Sequence, residues 1–418
     1  MIGIIIFFGG FVIFEPAPYD MLLMGTLGVW LVLGLRIPRA VLPLLLLFTL
    51  FNAGAVLSTF QMSDYKVGLV YVTISYFLAL SSVFFAIALS KDEKRFALLF
   101  KVYAASAFFS SIIGLLGYFG VSGFGTFTLY SRVAGGFKDP NVFGPFLTAP
   151  ILYLVYCLLN LPLKRAIIPA GVLMVLLLGL FLAFSRAAWG LTVISLLFFY
   201  ALLFINEKRV KVRLKYIVLA VIGFVSLLLI FLAIMQIDAI SSLFTQRARI
   251  IQDYDGGNLG RFERHAAGIQ MAIQNPLGIG PLEFPRYYTE DIHNIYLKTL
   301  LAYGWIGFVS WLTLMGWTLI AGFKLLFRPR PWQVYLQIAY VVFFGHHIIG
   351  FIIDTDRWRH LYLMIGIIWA CILLEKKWQA AKATQNTSMQ PIGMKASQEQ
   401  HFQTARPSLT QHHTSEQS

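Results

Sequence analysis

Charge is what this sequence has least of: only 12% of its 418 residues are Asp, Glu, Lys or Arg, about half the share found in soluble globular proteins. Hydrophobic residues reach 58%, and apolar runs recur from end to end with short interruptions. That excludes a soluble enzyme carrying a single anchor. Cysteine is also scarce. Cys157 and Cys371 both lie inside apolar runs, where a thiol behaves as a small hydrophobe, so no disulfide framework or metal cluster is implied. The chain lacks a Walker loop, a Gly-x-Ser-x-Gly elbow, a His-Glu-x-x-His pair and cysteines at metal-ligand spacing. Its chemistry must therefore rest on Arg, Lys and His.

Acids are scarcer than bases, 19 against 33, for a net charge of +14. The Lys and Arg residues sit in small clusters between apolar runs and build no basic domain, so the charge reads as membrane topology and not as a nucleic-acid surface. A span needs about 20 apolar residues. That ruler predicts an all-α polytopic membrane protein with about 12 transmembrane helices. They fall near residues 1–14, 20–35, 40–57, 66–89, 96–119, 142–160, 166–184, 187–205, 216–236, 304–327, 333–353 and 360–375. The first lacks a basic leader and a clear cleavage site, and is read as a retained span. Residues 166–205 would make one helix of about 60 Å, twice the hydrocarbon thickness, so a tight hairpin is expected at Ser185-Arg186.

Alternate connections hold most of the positive charge, including Arg36, Arg39, Lys91, Lys94, Arg95, Lys164, Arg165, Lys208, Arg209, Lys376 and Lys377. By the positive-inside rule that side is cytoplasmic, as are both termini. The opposite side then carries residues 58–65, 120–141, the Ser185-Arg186 turn, a long loop over 237–303 between the ninth and tenth spans, and 354–359. Residues 1–378 form the transmembrane domain. From about Gln379 to Ser418 the chain is rich in Gln, Ser, Thr and His, which cannot bury enough surface to fold, and a disordered cytoplasmic tail is expected.

Four outer segments look chemical. In Ser131-Arg-Val-Ala-Gly-Gly-Phe-Lys-Asp-Pro-Asn141, Arg132 and Lys138 approach a helix start beside Asn141, which suits an anion and equally suits a capped loop whose cations reach headgroups. Arg186 sits between two apolar helices, where an arginine is costly and calls for a partner, a polar cavity or the nearby interface. An amphipathic helix is predicted over Arg261–Gln274, ended by Asn275-Pro276, with Arg261 and His265 one turn apart and Arg264 beside them; a solvated face is the alternative. Residues 293–303 are expected to form an interfacial helix broken from its span at Gly304, with His293 and Asn294 at its start. Imidazole is the side chain best matched to proton transfer near neutral pH.

Two Asp-x-Asp pairs, Asp253-Tyr-Asp255 and Asp354-Thr-Asp356, match the loose pattern of metal-dependent glycosyltransferases, though such pairs arise readily by chance. His346 and His347 lie inside the eleventh span and either line a site or bond a neighbouring helix. Several arginines at membrane depth suit a phosphate-bearing lipid, because guanidinium matches phosphate bidentately and keeps its charge.

At these residues the sequence resembles the O-antigen ligase and polymerase superfamily of bacterial membrane glycosyltransferases. The resemblance is carried by Arg132-Val-Ala-Gly-Gly-Phe-Lys-Asp-Pro-Asn-Val-Phe-Gly144, Ser185-Arg-Ala-Ala-Trp189, Arg261 with Asn275-Pro-Leu-Gly-Ile-Gly280, and His293-Asn-Ile-Tyr-Leu297 followed by Gly304 and Gly307. It covers about residues 65–375. It implies a multi-pass enzyme of the bacterial inner membrane that takes a glycan from undecaprenyl pyrophosphate on the periplasmic face and passes it to an acceptor hydroxyl. The acceptor would be lipid A core, a growing polysaccharide or a protein. Carried over, the catalytic residues are His293, Arg186 and Arg261, with Arg132, Lys138, Asn141, Arg264, His265 and Asn294 binding substrate. Inversion without metal or other cofactor is implied. Where many such relatives have an acid before the glycine, this chain has Tyr303, and the nearest acids are Glu290 and Asp291. The rival class, a polysaccharide or lipid transporter or flippase, predicts matched halves with broken helices at midplane, and the sequence has no such symmetry.

Overall fold

A computed structural model describes residues 1–34, 36–247, 260–288 and 290–388. It divides into a unit spanning Met1–Leu373 and a second spanning Leu374–Ser418. The helices in order are α1 (Ile2–Phe8), α2 (Pro18–Val32), α3 (Leu42–Thr59), α4 (Tyr65–Leu89), α5 (Lys94–Tyr118), α6 (Pro140–Asn160), α7 (Leu163–Leu182) and α8 (Arg186–Asn206). They continue with α9 (Val210–Ile234), α10 (Asp238–Arg247), α11 (Arg261–Gln274), α12 (Phe284–Tyr287), α13 (Ile295–Phe323), α14 (Gln333–Ile349) and α15 (Arg359–Ser388). A two-residue antiparallel ladder, β1 (Thr128–Leu129) with β2 (Arg132–Val133), is the sheet among the described residues.

The all-α polytopic reading holds. Among the described residues eight helices are long and apolar enough to cross a membrane: α4 to α9, α13, and α3 extended back to Arg39. The shorter α2 and α14 are apolar as well. The expected first span meets a helix of only 7 residues, because the chain leaves helical form at Gly9 and Val12 then bridges to Phe137. The connection between α1 and α2 thus joins the loop that precedes α6. Helix α15 runs past the expected start of the tail at Gln379 as far as Ser388. The rest of that tail, and the first Asp-x-Asp pair, lie outside the described residues.

Polar caps set where the helices begin. Asp139 accepts from the Asn141 N–H at the start of α6 and Ser185 from the Ala188 N–H of α8, while Asn294 takes both the Tyr296 and Leu297 N–H groups of α13. The predicted hairpin is present, with α7 ending at Leu182 and α8 starting at Arg186.

Two packing relationships position everything that follows. Helix α3 lies along α13, and Gly54 approaches the Tyr303 carbonyl and the Gly307 amide so closely that a side chain at Gly54 has no room. Ser195 of α8 donates to the Val341 carbonyl of α14, while Gly345, one turn on in α14, rests on Leu191, one turn back in α8. The two helices therefore run antiparallel, and the end of α14 lies beside the start of α8.

Candidate functional site on one end of the helix bundle

The break at Gly304 is the first feature that shapes the site. Its φ of 62° and ψ of −177° interrupt α13, as the sequence suggested. The Leu301 carbonyl, freed from helical pairing, accepts from Ile279 at 2.8 Å, and the Trp305 N–H donates to the Pro276 carbonyl at 3.0 Å. The chain after α11 is stitched into the gap. Below it Ala272, Ile279, Phe284, Ile292 and Leu301 form a small core of their own, so the long loop is an ordered cap where it is described. The predicted helix Arg261–Gln274 is present with those bounds.

His293 precedes Asn294 with a φ of 48°, a left-handed backbone that non-glycine residues adopt rarely. Its neighbours hold it there. Asn294 caps α13 and donates through Nδ2 to the Phe351 carbonyl at 3.2 Å, and the Ile295 N–H reaches the Gly350 carbonyl at 2.8 Å. On the other side, the Ile292 carbonyl accepts from His265 Nε2 at 2.9 Å. His293 thus stands between a capped helix start and α11, half-exposed, outside the helix that the sequence placed it in.

Behind the ring lies a carboxylate. His293 Nδ1 is 3.6 Å from Asp354 Oδ2, which also takes Lys298 Nζ at 3.2 Å; Lys298 donates to Asp291 at 3.0 Å as well. Burial by itself would raise the Asp354 carboxyl, but Lys298 and His293 outweigh it and hold it below the usual carboxylate range. Asp356 turns elsewhere, to the Tyr71 hydroxyl, so the two acids of this Asp-x-Asp pair serve different partners.

The arginines of α11 flank this group. Arg264 is buried and pairs with Glu290 at 2.9 Å, while Arg261 is half-buried at the first position of the helix. Burial lowers the pKa of His265, with Arg261 and Arg264 adding to the effect and the Ile292 carbonyl opposing it. His265 is therefore a neutral donor to the backbone beside His293. The acids nearest Tyr303 in sequence are both engaged, Glu290 with Arg264 and Asp291 with Lys298. Tyr303 itself is buried, stacked on Phe51 at 3.9 Å and bonded to Ser75.

A second group gathers at the starts of α6 and α8. Arg132 is buried, and its Nε donates to the Ala183 carbonyl at 2.8 Å while its other arm donates to Asn141 at 2.9 Å. It ties the α7–α8 turn to the start of α6, with Asp139 already occupying that helix N-terminus. Arg132 and Asn141 thus position the turn that presents Arg186, itself half-buried. Lys138 is exposed and pairs loosely with Glu15 at 3.6 Å. Because the end of α14 lies beside the start of α8 and also receives the Ile295 N–H, Arg186 and His293 sit on the same end of the bundle.

The remaining candidates go to packing. His346 and His347 each bond a backbone carbonyl one turn back, Val342 at 2.7 Å and Phe343 at 2.8 Å; His346 meets Trp358 edge-on and His347 stacks on Trp311. What the sequence reading missed is Lys298, a buried cation one turn into an apolar helix, and the partnership of Asp354 with His293. The first had a signal, an ionisable residue inside a span. The second joins residues 61 positions apart and had none.

Residues 169–312 match the family model described as O-antigen ligase. The match contains Arg186, Arg261, Arg264, His265, His293 and Asn294, and stops short of Arg132 and Asp354. No curated protein matches the chain.

Proposed function

We propose, from the match of residues 169–312 to the O-antigen ligase family model, that the chain is a membrane glycosyltransferase acting on an undecaprenyl-pyrophosphate-linked glycan. Arg186 and Arg261 bind the pyrophosphate, where guanidinium groups match its oxygens and stay charged as it departs. The acceptor hydroxyl attacks the anomeric carbon as the bond from that carbon to the pyrophosphate oxygen breaks, inverting the centre. His293 takes the hydroxyl proton. Asp354 orients the ring through Nδ1 and offsets its positive charge once protonated. Arg132 and Asn141 hold the α7–α8 turn, and Arg264 and His265 hold the backbone next to His293. Pyrophosphate is a good leaving group, so this route asks for no divalent ion.

The observation that carries the reading is the His293–Asp354 pair on the same end of the bundle as the half-buried Arg186 and Arg261. We place that end on the periplasmic face of the bacterial inner membrane, with the C-terminus in the cytoplasm, because the opposite connections carry the lysines and arginines. The acceptor is lipid A core or a second lipid-linked repeat.

The test is glycan transfer by the purified protein in EDTA, offering those two acceptors separately, for wild type, Arg186→Ala and His293→Ala. The expected outcome is transfer to one acceptor, lost in both variants. Wild-type activity that appears only when a divalent ion is restored would overturn the metal-free route. Wild type inactive with every acceptor, or His293→Ala as active as wild type, would overturn the assignment.

A further inference from the structure

Helix α9 is unusual among the spans. None of its apolar stretch is fully buried, and Tyr216 near its start is the one buried residue of the helix. Between its second half and the outer halves of α7 and α8 lies a cavity of about 580 Å³ whose lining is apolar but for Thr192. Met174, Val193 and Leu227 line it and are also exposed, so it opens sideways, toward the bilayer in a membrane.

The two ends of the slot differ. Toward the α7–α8 turn it is closed by an aromatic group: Phe244 of α10 lies 5.9 Å from Phe181, 5.7 Å from Trp189 and 5.3 Å from Phe231. Trp189 is one turn after Arg186, so a cation and the positive end of the α8 dipole sit above the closed end. Along α8 the slot runs from Trp189 to Leu196, about 10 Å, roughly a third of the hydrocarbon thickness. A dry apolar slot open to lipid fills with hydrocarbon, and a cation at its head selects an anionic headgroup.

We propose that this slot holds the head-proximal part of the polyprenyl chain of the glycan donor, with its pyrophosphate at Arg186; this rests on the transferase reading above. The slot would fix the donor's depth and direction, so that the pyrophosphate meets the arginines while the rest of the chain remains in the bilayer.

The full-length protein in nanodiscs is photolabelled with undecaprenyl phosphate bearing a diazirine on its first isoprene units. Crosslinks are expected within residues 174–181, 189–196 or 227–234, displaced by excess unlabelled undecaprenyl phosphate and not by phosphatidylglycerol. Leu196→Trp should cut labelling at least about tenfold and raise the KM for the donor. Leu227→Trp, at an exposed position on the α9 wall of the slot, should do the same while leaving the fold intact. Crosslinks mapping elsewhere, equal displacement by phosphatidylglycerol, or unchanged labelling in Leu227→Trp would each overturn the proposal. Glycan transfer separates the two readings. Transfer with crosslinks elsewhere removes the slot and leaves the transferase, whereas specific slot labelling with no transfer to any acceptor removes the transferase and leaves a polyprenyl site.

Discussion

His293 Nδ1 stands 3.6 Å from Asp354 Oδ2, and the same oxygen receives Lys298 Nζ at 3.2 Å. One buried carboxylate therefore serves a half-exposed ring and a buried cation together. Lys298 holds the acid in place, and the acid is the group behind the His293 ring.

On the proposed mechanism, replacing Asp354 separates base from orienter. His293→Ala should lower kcat by about 10²- to 10⁴-fold, the usual worth of a general base. Asp354→Asn keeps the shape and should lower kcat less than His293→Ala does, with little change in donor KM. Steady-state kinetics on the two variants and their double mutant check this. Additive losses would show that the two side chains do not act as a unit.

The lowered pKa of Asp354 has a consequence for stability. A carboxyl held below its ordinary value adds stability above about pH 4, and that share disappears as pH falls through the lowered value. Thermal unfolding in detergent should therefore show wild type above Asp354→Asn at pH 6, with the gap closing below pH 4. A gap independent of pH would mean that the difference is packing and not charge.

His265 works in the other direction of charge. Its pKa is lowered, so protonation opposes the folded loop, and the stability of the α11 segment should decline as pH drops below about 6.5. Hydrogen exchange of residues 261–274 across pH 5 to 8 measures it. His265→Gln, which can still donate to the Ile292 carbonyl, should flatten the profile.

Arg132 ties the α7–α8 turn to the start of α6, and Lys cannot reproduce its two-armed reach to Ala183 and Asn141. Arg132→Lys and Asn141→Ala should each cost about 1–3 kcal/mol of stability, and the pair less than the sum. Denaturation midpoints of both singles and the double complete the cycle.

Most of this architecture was legible because hydropathy and caps are local. The Ser185-Arg186 hairpin followed from a run too long for one span, and Arg261–Gln274 from its periodicity and the Asn275-Pro276 stop. Span counting failed at residues 1–14, where apolar composition alone does not reveal that Gly9 ends the helix and Val12 leaves to bridge Phe137. The backbone at His293 was misjudged. Asn294, one residue later, takes the capping role and leaves His293 with a positive φ. Roles fixed by contacts across the chain were out of reach: Arg132 read as an anion ligand from its neighbours in sequence, and only its bond to Ala183 shows a tether.

Gly304→Ala probes the break directly. A side chain there would meet the Leu277 carbonyl at 2.6 Å on a backbone that L-residues resist, so a loss of about 1–3 kcal/mol and a fall in transfer activity are expected. A thermal melt equal to wild type would show that the loop after α11 does not depend on the break.

At Gly54 the backbones of α3 and α13 touch at Tyr303, one residue before the break. Two rods pinned at that point cannot slide independently. A shift of the His293 segment during turnover must either drag α3 with it or be absorbed at Gly304, which makes the glycine the compliant joint and the pinned pair the stiff mast on which the site is mounted.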